Sequence, residues 1–320
     1  MSDKKLSIVI PTYNGSKTIC QTIDSILLAS KNIGQIIVVD DCSEDLTLDI
    51  IKNYIKDNNL SHIIELVPLS ENVGPAFARK EGFKRVTKDY TIFFDGDDIM
   101  LPNVLDPTLE RMIDERIEVA IFEYDIYDGR RHYGMWPKDR ERFQRLMLKG
   151  EVLNAVEARE SVLLTNYPWN KICSTEYLNR INIDFGHFRL HEDVLLHWQI
   201  LMSTRSVLFV DKALCRYSLP MGATNMTNDK SDKRLQCLDV LEWLKYYVWN
   251  HENCENFKWE YLDFVCILTG WAINNIDAKY KPTFRHRLKE LFLSIPMSLI
   301  IKSSYNNETL QYIYNALKRE

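Results

Sequence analysis

Between residues 6 and 94, four short apolar runs, LSIVI (6–10), QIIVV (35–39), HIIELV (62–67) and YTIFF (90–94), alternate with amphipathic segments. The runs lack the polar alternation of a half-exposed strand, as strands do when both faces of a parallel sheet are covered. In GSKTICQTIDSILLAS, Ile19, Ile23, Ile26 and Leu27 share one helical face. In SEDLTLDIIKNYIKD, a Leu/Ile stripe follows Ser43 as the expected N-cap. PAFARKEGFKRV opens on Pro75, which suits a helix's first turn. This β-α-β-α-β-α-β series predicts right-handed crossovers and a doubly wound, mostly parallel α/β sheet.

Such sheets bind ligands beyond the carboxyl ends of their strands. Each run ends in polar chemistry at that edge: Pro11-Thr12-Tyr13-Asn14, Asp40-Asp41, Ser70-Glu71-Asn72 and Asp95-Gly96-Asp97-Asp98. Three carboxylates against a buried strand repel one another and lose hydration. A divalent cation, Mg2+ or Mn2+, relieves that penalty, because hard cations take carboxylate oxygens from protein and complete their shell with water and phosphate. The competing reading, a solvated acidic turn, is weakened by three other polar strand ends at the same edge. Asp40 and Asp41 stand where dinucleotide folds carry the acid that binds ribose. Helix capping accounts for Ser43 and Asp45 but not for a carboxylate pair tight against the strand. Arg79, Lys80 and Lys171 are cations suited to a diphosphate, and Gly74-Pro75 brings helix N-terminal N–H groups to the same edge. A solvent-facing Arg79 is the plainer alternative.

Further along, EVAIFEYDIYD (118–128) reads as a strand, and an Arg/Lys-rich polar region fills 130–149. A helix is expected from Asp193, and SVLFVDKALCRYS (206–218) as a strand returning to the sheet edge. Glu192 and Asp193 form a second acid pair. At a helix start such a pair stabilises the dipole; facing Asp97 across a crevice, one carboxylate is able to take a proton from an attacking hydroxyl. Residues 230–320 are helical in pattern and rich in aromatics, among them Trp243, Trp249, Trp259 and Trp271. The expected organisation is a catalytic domain over 1–228, with a nucleotide-binding half to about 100 and an acceptor half beyond it, then a helical region over 229–320.

The chain has 320 residues, 46% hydrophobic and 27% charged, enough for a large core in a soluble globular protein. A net charge of −5 argues against a nucleic-acid partner. Seven cysteines without a Cys-x-x-Cys pair read as reduced thiols in a cytoplasmic protein. The apolar run in MSDKKLSIVIP stops at Pro11, too short for a signal sequence, and no apolar run reaches the roughly 18 residues of a membrane span.

SIVIPTYNG (7–15), IIVVDDCSEDLT (36–47), NVGPAFARKEG (72–82), FFDGDD (93–98), PWNKICSTEYL (168–178) and HEDVLLHW (191–198) together resemble the inverting glycosyltransferases of family 2. Their order and spacing are the family's, and they span roughly residues 6–220. The resemblance implies a GT-A fold, a Rossmann-like doubly wound sheet here followed by a helical C-terminal extension. It implies transfer of a sugar from a nucleoside-diphosphate sugar, first of all a UDP-sugar, to a glycan or lipid-linked acceptor in bacterial surface polysaccharide synthesis. By the same resemblance, Pro11, Thr12, Tyr13, Asn14, Asp40 and Asp41 would hold base and ribose, with Arg79 near the diphosphate. Asp95 and Asp97 would bind Mn2+ or Mg2+, and Asp95 would also face the donor nucleotide. Asp98, Trp169, Lys171 and Glu192 would line the donor-sugar or acceptor side, and Asp193 would be the catalytic base.

The chain departs from the family pattern twice. Lys80 stands where Asn usually follows the arginine, and CRYS (215–218) lacks the histidine that often completes the metal shell. His187, His191 and His197 are the nearby alternatives. Rival readings are a sugar nucleotidyltransferase, which normally has a glycine-rich basic loop where this chain has PTYNGSKT, and a non-catalytic binder of the same fold. A dehydrogenase is disfavoured by the absence of G-x-G-x-x-G after the first strand. Between 279 and 302 six basic residues face one acid, interleaved with apolar ones. That pattern fits peripheral contact with the inner face of a membrane, or equally a helix packed on the rest of the protein.

Overall fold

In a computed structural model of the chain, which describes residues 5–219, 229–302 and 312, the first apolar run forms β1 (Leu6–Thr12), buried along its whole length. β2 (Ile33–Asp40), β3 (Ile64–Pro68) and β4 (Tyr90–Phe93) follow, separated by α1 (Ile19–Ala29), α2 (Thr47–Asp57) and α3 (Pro75–Phe83). β1 pairs in parallel with both β2 and β4, and β2 with β3. Chain progress across the sheet therefore reverses between β1 and β4, and that switch point opens a crevice at the carboxyl ends. Ile8, Val9, Ile10 and Ile36 to Val39 are fully buried, each such side chain contributing about 1.5–3 kcal/mol over leaving it in water. A Cβ on Gly82 of α3 would lie 2.4 Å from Val9 Cγ1, so this helix rests directly on β1.

The second half of the sheet is mixed. It comprises β5 (Ile99–Met100), β6 (Val119–Tyr127), β7 (His132–Gly134), β8 (Val152–Leu153), β9 (Lys171–Ser174) and β10 (Val207–Ser218). Among the described residues the order is β3-β2-β1-β4-β9-β6-β10-β5, with β7 on β6 and β8 on β10. β9 runs antiparallel to β4 and β6, whereas β10 is parallel to β6. β10 is thus not the sheet edge: β5 covers it, a two-residue strand too short to stand out as an apolar run. Helices α4 (Leu105–Asp114), α6 (Thr175–Arg180) and α7 (Asp193–Ser203) complete this half. The polar region 130–149 resolves into β7 and α5 (Pro137–Lys149), whose Phe143 and Leu146 are buried beneath an otherwise charged helix.

Ser43 does not cap α2. That helix starts at Thr47, whose N–H donates to Asp45 Oδ1 at 2.9 Å. Ser43 instead gives its hydroxyl to Asp40 Oδ1 at 2.5 Å and accepts the Asn14 N–H at 2.9 Å. A buried carboxylate holds a nearby donor more strongly than a solvated helix end does.

The chain divides into two compact units, 1–221 and 222–320. The boundary expected at 228 falls in 220–228, outside the described residues. The second unit contains α8 (Gln236–Asn250), α9 (Cys254–Asn275), α10 (Lys281–Leu293) and α11 (Met297–Lys302). α10 packs against α8 and α9 with Phe284, Leu288, Leu291 and Phe292 buried, so most of its apolar stripe is used in the helical packing. Among the described residues no helix is long and apolar enough to cross a membrane, and the seven cysteines form no disulfide.

Candidate active site

The acidic turn Asp95 to Asp98 lies between β4 and β5, held from below by α1. Thr18 Oγ1 donates to the Gly96 carbonyl at 3.0 Å, and Thr22 Oγ1 lies 2.9 Å from the Asp98 carbonyl and 3.1 Å from that of Gly96. A Cβ on Gly96 would meet the Pro11 carbonyl at 3.3 Å, so the missing side chain lets the turn close against the end of β1. Sequence reasoning did not single out these threonines. Their signal is a pair of hydroxyls four residues apart at the start of a helix, where capping and turn contacts concentrate.

Arg79 ties the turn to a distant segment. The side chain projects from α3, is 4% exposed, and donates through one NH2 group to Asp95 Oδ1 at 2.7 Å and through the other to Glu192 Oε1 at 2.9 Å. It is therefore not a solvent-facing charge. The bridge draws Glu192, and with it Asp193 at the start of α7, to the carboxyl edge of β4. Neighbouring Lys80 is exposed.

The carboxylates do not share one environment. Asp193 is half-buried. Its carboxyl is held well above the usual range, first by desolvation, then by the charge of Glu192, while Arg79 pulls the other way. Asp98 is 2% exposed and accepts the Ser218 N–H at 3.3 Å. Burial, then Asp97 and Asp95, push it far up. Asp97 is exposed, yet the surrounding protein and the charge of Asp95 raise its carboxyl to about 6. An excess of negative charge thus accumulates around Asp97, with the Arg79 guanidinium paired to Asp95.

Among the described residues no three His, Cys, Asp or Glu side chains converge as a metal cage. His197 is buried against the Ser161 carbonyl at 3.1 Å, and the His187 ring lies tilted against Phe188, centroids 4.4 Å apart. What the turn offers is a hard oxygen donor, Asp97, in a site that already disfavours its own negative charge. That fits a divalent cation whose remaining ligands are phosphate and water, and not one enclosed by protein.

At the β1 and β2 ends, Pro11 and Thr12 are buried while Tyr13 and Asn14 are exposed. Asn14 adopts φ 52° and accepts the Glu44 N–H at 2.9 Å. Asp41 accepts the N–H groups of Val73 and Gly74, both at 2.8 Å, so the amides just before α3, Gly74 among them, are taken. With Asp40 bound to Ser43, both acids shape loops first, and a ribose contact would use their remaining lone pairs.

Trp169 and Lys171 are 1% and 3% exposed. The Lys171 ammonium donates to the Tyr167 carbonyl at 2.6 Å and to Asn170 Oδ1 at 2.7 Å. Burial lowers its pKa to about 7. Such a lysine does not meet a diphosphate: it fixes the segment that stacks Tyr167 on Trp169, centroids 4.3 Å apart.

Comparison with known proteins agrees with this architecture. Glycosyltransferase GlyA of Streptococcus pneumoniae serotype 4 is 23% identical over 229 residues, 69% of this chain and 31% of GlyA, so the chain spans under a third of that relative. S. aureus TarS 1-349 in complex with UDP-GlcNAc superposes with a TM-score of 0.75 at 18% identity, covering 98% of this chain and 90% of that one. Mannosyltransferase PcManGT of Pyrobaculum calidifontis, in complex with GDP-Man and Mn2+, superposes with a TM-score of 0.59 at 15% identity, covering 99% and 86%. At those identities the structures show a shared fold. Residues 7–189 match the family described as Glycosyl transferase family 2, more than half of the chain, and the chain belongs to that family.

Proposed function

We propose that the protein is an inverting glycosyltransferase that moves a sugar from a nucleoside-diphosphate sugar, a UDP-sugar first of all, to a hydroxyl of a glycan or lipid-linked acceptor in bacterial surface polysaccharide synthesis. The observation that carries this reading is the Arg79 bridge between Asp95 and Glu192, which brings the acidic turn and a desolvated Asp193 to one sheet edge. The TarS and PcManGT complexes, with UDP-GlcNAc and GDP-Man, support a nucleotide-sugar donor.

In this reading Tyr13 and Asn14 face the base, Asp40 and Asp41 the ribose, and Arg79 and Asp95 lie beside the diphosphate. Asp97, with Asp95, would hold Mn2+ or Mg2+, which when bound supplies counter-charge to the leaving diphosphate. Asp193 removes the proton from the acceptor hydroxyl. The oxygen attacks the anomeric carbon from the face opposite the departing diphosphate, so one displacement inverts the configuration. A carboxyl raised towards neutrality is the stronger base for a hydroxyl whose acidity grows only in the transition state. Glu192, locked by Arg79, keeps Asp193 in place, and Asp98 with the Tyr167–Trp169 stack borders the sugar side. Membrane contact, in this reading, falls to the basic residues of 279–302 beside exposed Leu293 and Met297.

The test is a panel of nucleotide sugars with Mn2+, scored for hydrolysis or transfer by the wild type and Asp193→Asn. Wild-type turnover of at least one donor and a loss of roughly 10²–10⁴-fold in the folded variant are expected. A wild type inert to every nucleotide sugar sinks the reading, and a fully active Asp193→Asn removes the base.

A further inference from the structure

On the surface of the first unit, β7 and the start of α5 enclose a groove of about 460 Å³ lined by Tyr133, Trp136, Pro137, Arg140, Glu141 and Gln144. Its two aromatic rings are presented outward: Tyr133 is 51% and Trp136 41% exposed. Large exposed aromatics rimmed by polar groups mark binding surfaces. The volume lies within the range of small-ligand pockets.

The groove is joined to the acidic turn by a chain of contacts, side chain to side chain as far as Tyr217 and then through the backbone of β10. Trp136 Nε1 donates to Tyr167 Oη at 3.2 Å. The Tyr167 ring lies 5.3 Å from that of Tyr217. The next residue, Ser218, donates its N–H to Asp98 at 3.3 Å. The groove end of the row is anchored, since the Trp136 backbone N–H donates to Tyr124 Oη at 3.3 Å and the Tyr124 hydroxyl donates to buried Asp139 at 2.5 Å. The rings are therefore held in place before any ligand arrives, which lowers the ordering cost of binding.

The lining selects among ligands. A lipid chain requires an uninterrupted apolar wall, but here Arg140, Glu141 and Gln144 interrupt it. A polyanion requires several cations, whereas this lining offers one, Arg140, because the adjacent Arg145 is paired with Glu141 at 2.6 Å. A pyranose ring has a C–H face for an aromatic plane and a hydroxyl edge for guanidinium, carboxylate and amide. We infer that this groove is a remote acceptor subsite that holds a non-reacting pyranose residue of a glycan, with Trp136 as its stacking platform. The inference rests on the glycosyltransferase reading and narrows it to a saccharide acceptor that extends beyond the sugar bearing the reacting hydroxyl.

The test uses the full chain with UDP and Mn2+, titrated with maltotetraose, cellotetraose and chitotetraose by saturation-transfer NMR and tryptophan fluorescence. At least one tetrasaccharide is expected to bind, with Kd rising roughly tenfold in Trp136→Ala and in Tyr133→Ala. Trp136→Phe retains most of the affinity because it keeps a ring, and UDP affinity is the same in all variants. If no tetrasaccharide binds the wild type, or if both alanine variants bind as it does, the inference is overturned. Ring-dependent sugar binding by a wild type that ignores every nucleotide upholds the groove while removing the glycosyltransferase reading.

Discussion

Lys171 shows how far burial alone moves a group's chemistry. With a folded pKa lowered to about 7, against about 10.4 in an unfolded chain, the folded state holds fewer protons than the unfolded one between those values. Stability attributable to this residue therefore rises with pH from about 7 to about 10 and is absent below that window. Comparing urea-unfolding free energies of the wild type and Lys171→Met across pH 6 to 10 checks it: the wild type should gain relative to the variant as pH rises, and parallel curves would refute the low pKa. For Asp193 the shift has the opposite sign, since a raised carboxyl binds its proton more tightly when folded. Transfer that needs its ionised form should increase with pH, with a midpoint above the ordinary aspartate value of about 3.9, as an initial-rate profile would show. At this scale the sequence singled out Asp97, Asp98 and Asp193 as candidates but not the differences between their environments. One DGDD window places three identical side chains together, and their separation into an exposed and a buried carboxyl depends on what surrounds each.

Among the elements, α3 carries both a packing constraint and a functional one. Alanine for glycine inside a helix normally gains about 1 kcal/mol. At Gly82 the added methyl would press on Val9 at 2.4 Å and Val39 at 3.1 Å, and neither can retreat within a fully buried sheet. Overpacking should win, so Gly82→Ala is expected to destabilise by about 1–3 kcal/mol, read as a lower denaturant midpoint with an unchanged m-value. Three residues earlier on the same helix, Arg79 spans Asp95 and Glu192. Removing it leaves Glu192 and the part-exposed Asp95 without their shared cation, so Arg79→Met is expected to cost about 3–5 kcal/mol and to abolish transfer. A variant as stable as the wild type would show that the bridge contributes little. The alternation of apolar runs and helical stripes made β1 to β4 and α1 to α3 legible, because a parallel sheet buries its central strands, β1 and β4, along their whole length, whereas edge strand β3 leaves Glu65 and Pro68 exposed. β5 and β8, at two residues each, carry no periodicity to read.

For the whole molecule, donor and metal should stabilise one another. A cation held by Asp97 and by phosphate needs both, so UDP with Mn2+ should raise the melting temperature by more than the sum of each alone. The gain approaches about 2.7 kcal/mol at a hundredfold excess over Kd, and chelation by EDTA should reduce it to that of UDP alone. Strictly additive shifts in differential scanning fluorimetry would argue against a shared site. The order of motifs along the chain, from SIVIPTYNG to HEDVLLHW, by itself determined the sheet type, the strand-end location of the candidate site and the family, because these follow from periodicity, from which residues end each strand and from the motifs themselves. Only the tertiary structure decided that Arg79 joins residues 16 and 113 positions away, that Asp41 consumes the amides before α3, and that Lys171 lies buried beneath an aromatic stack. Each is a competition for one hydrogen-bonding partner or for access to water, and its outcome depends on neighbours that the chain brings from elsewhere.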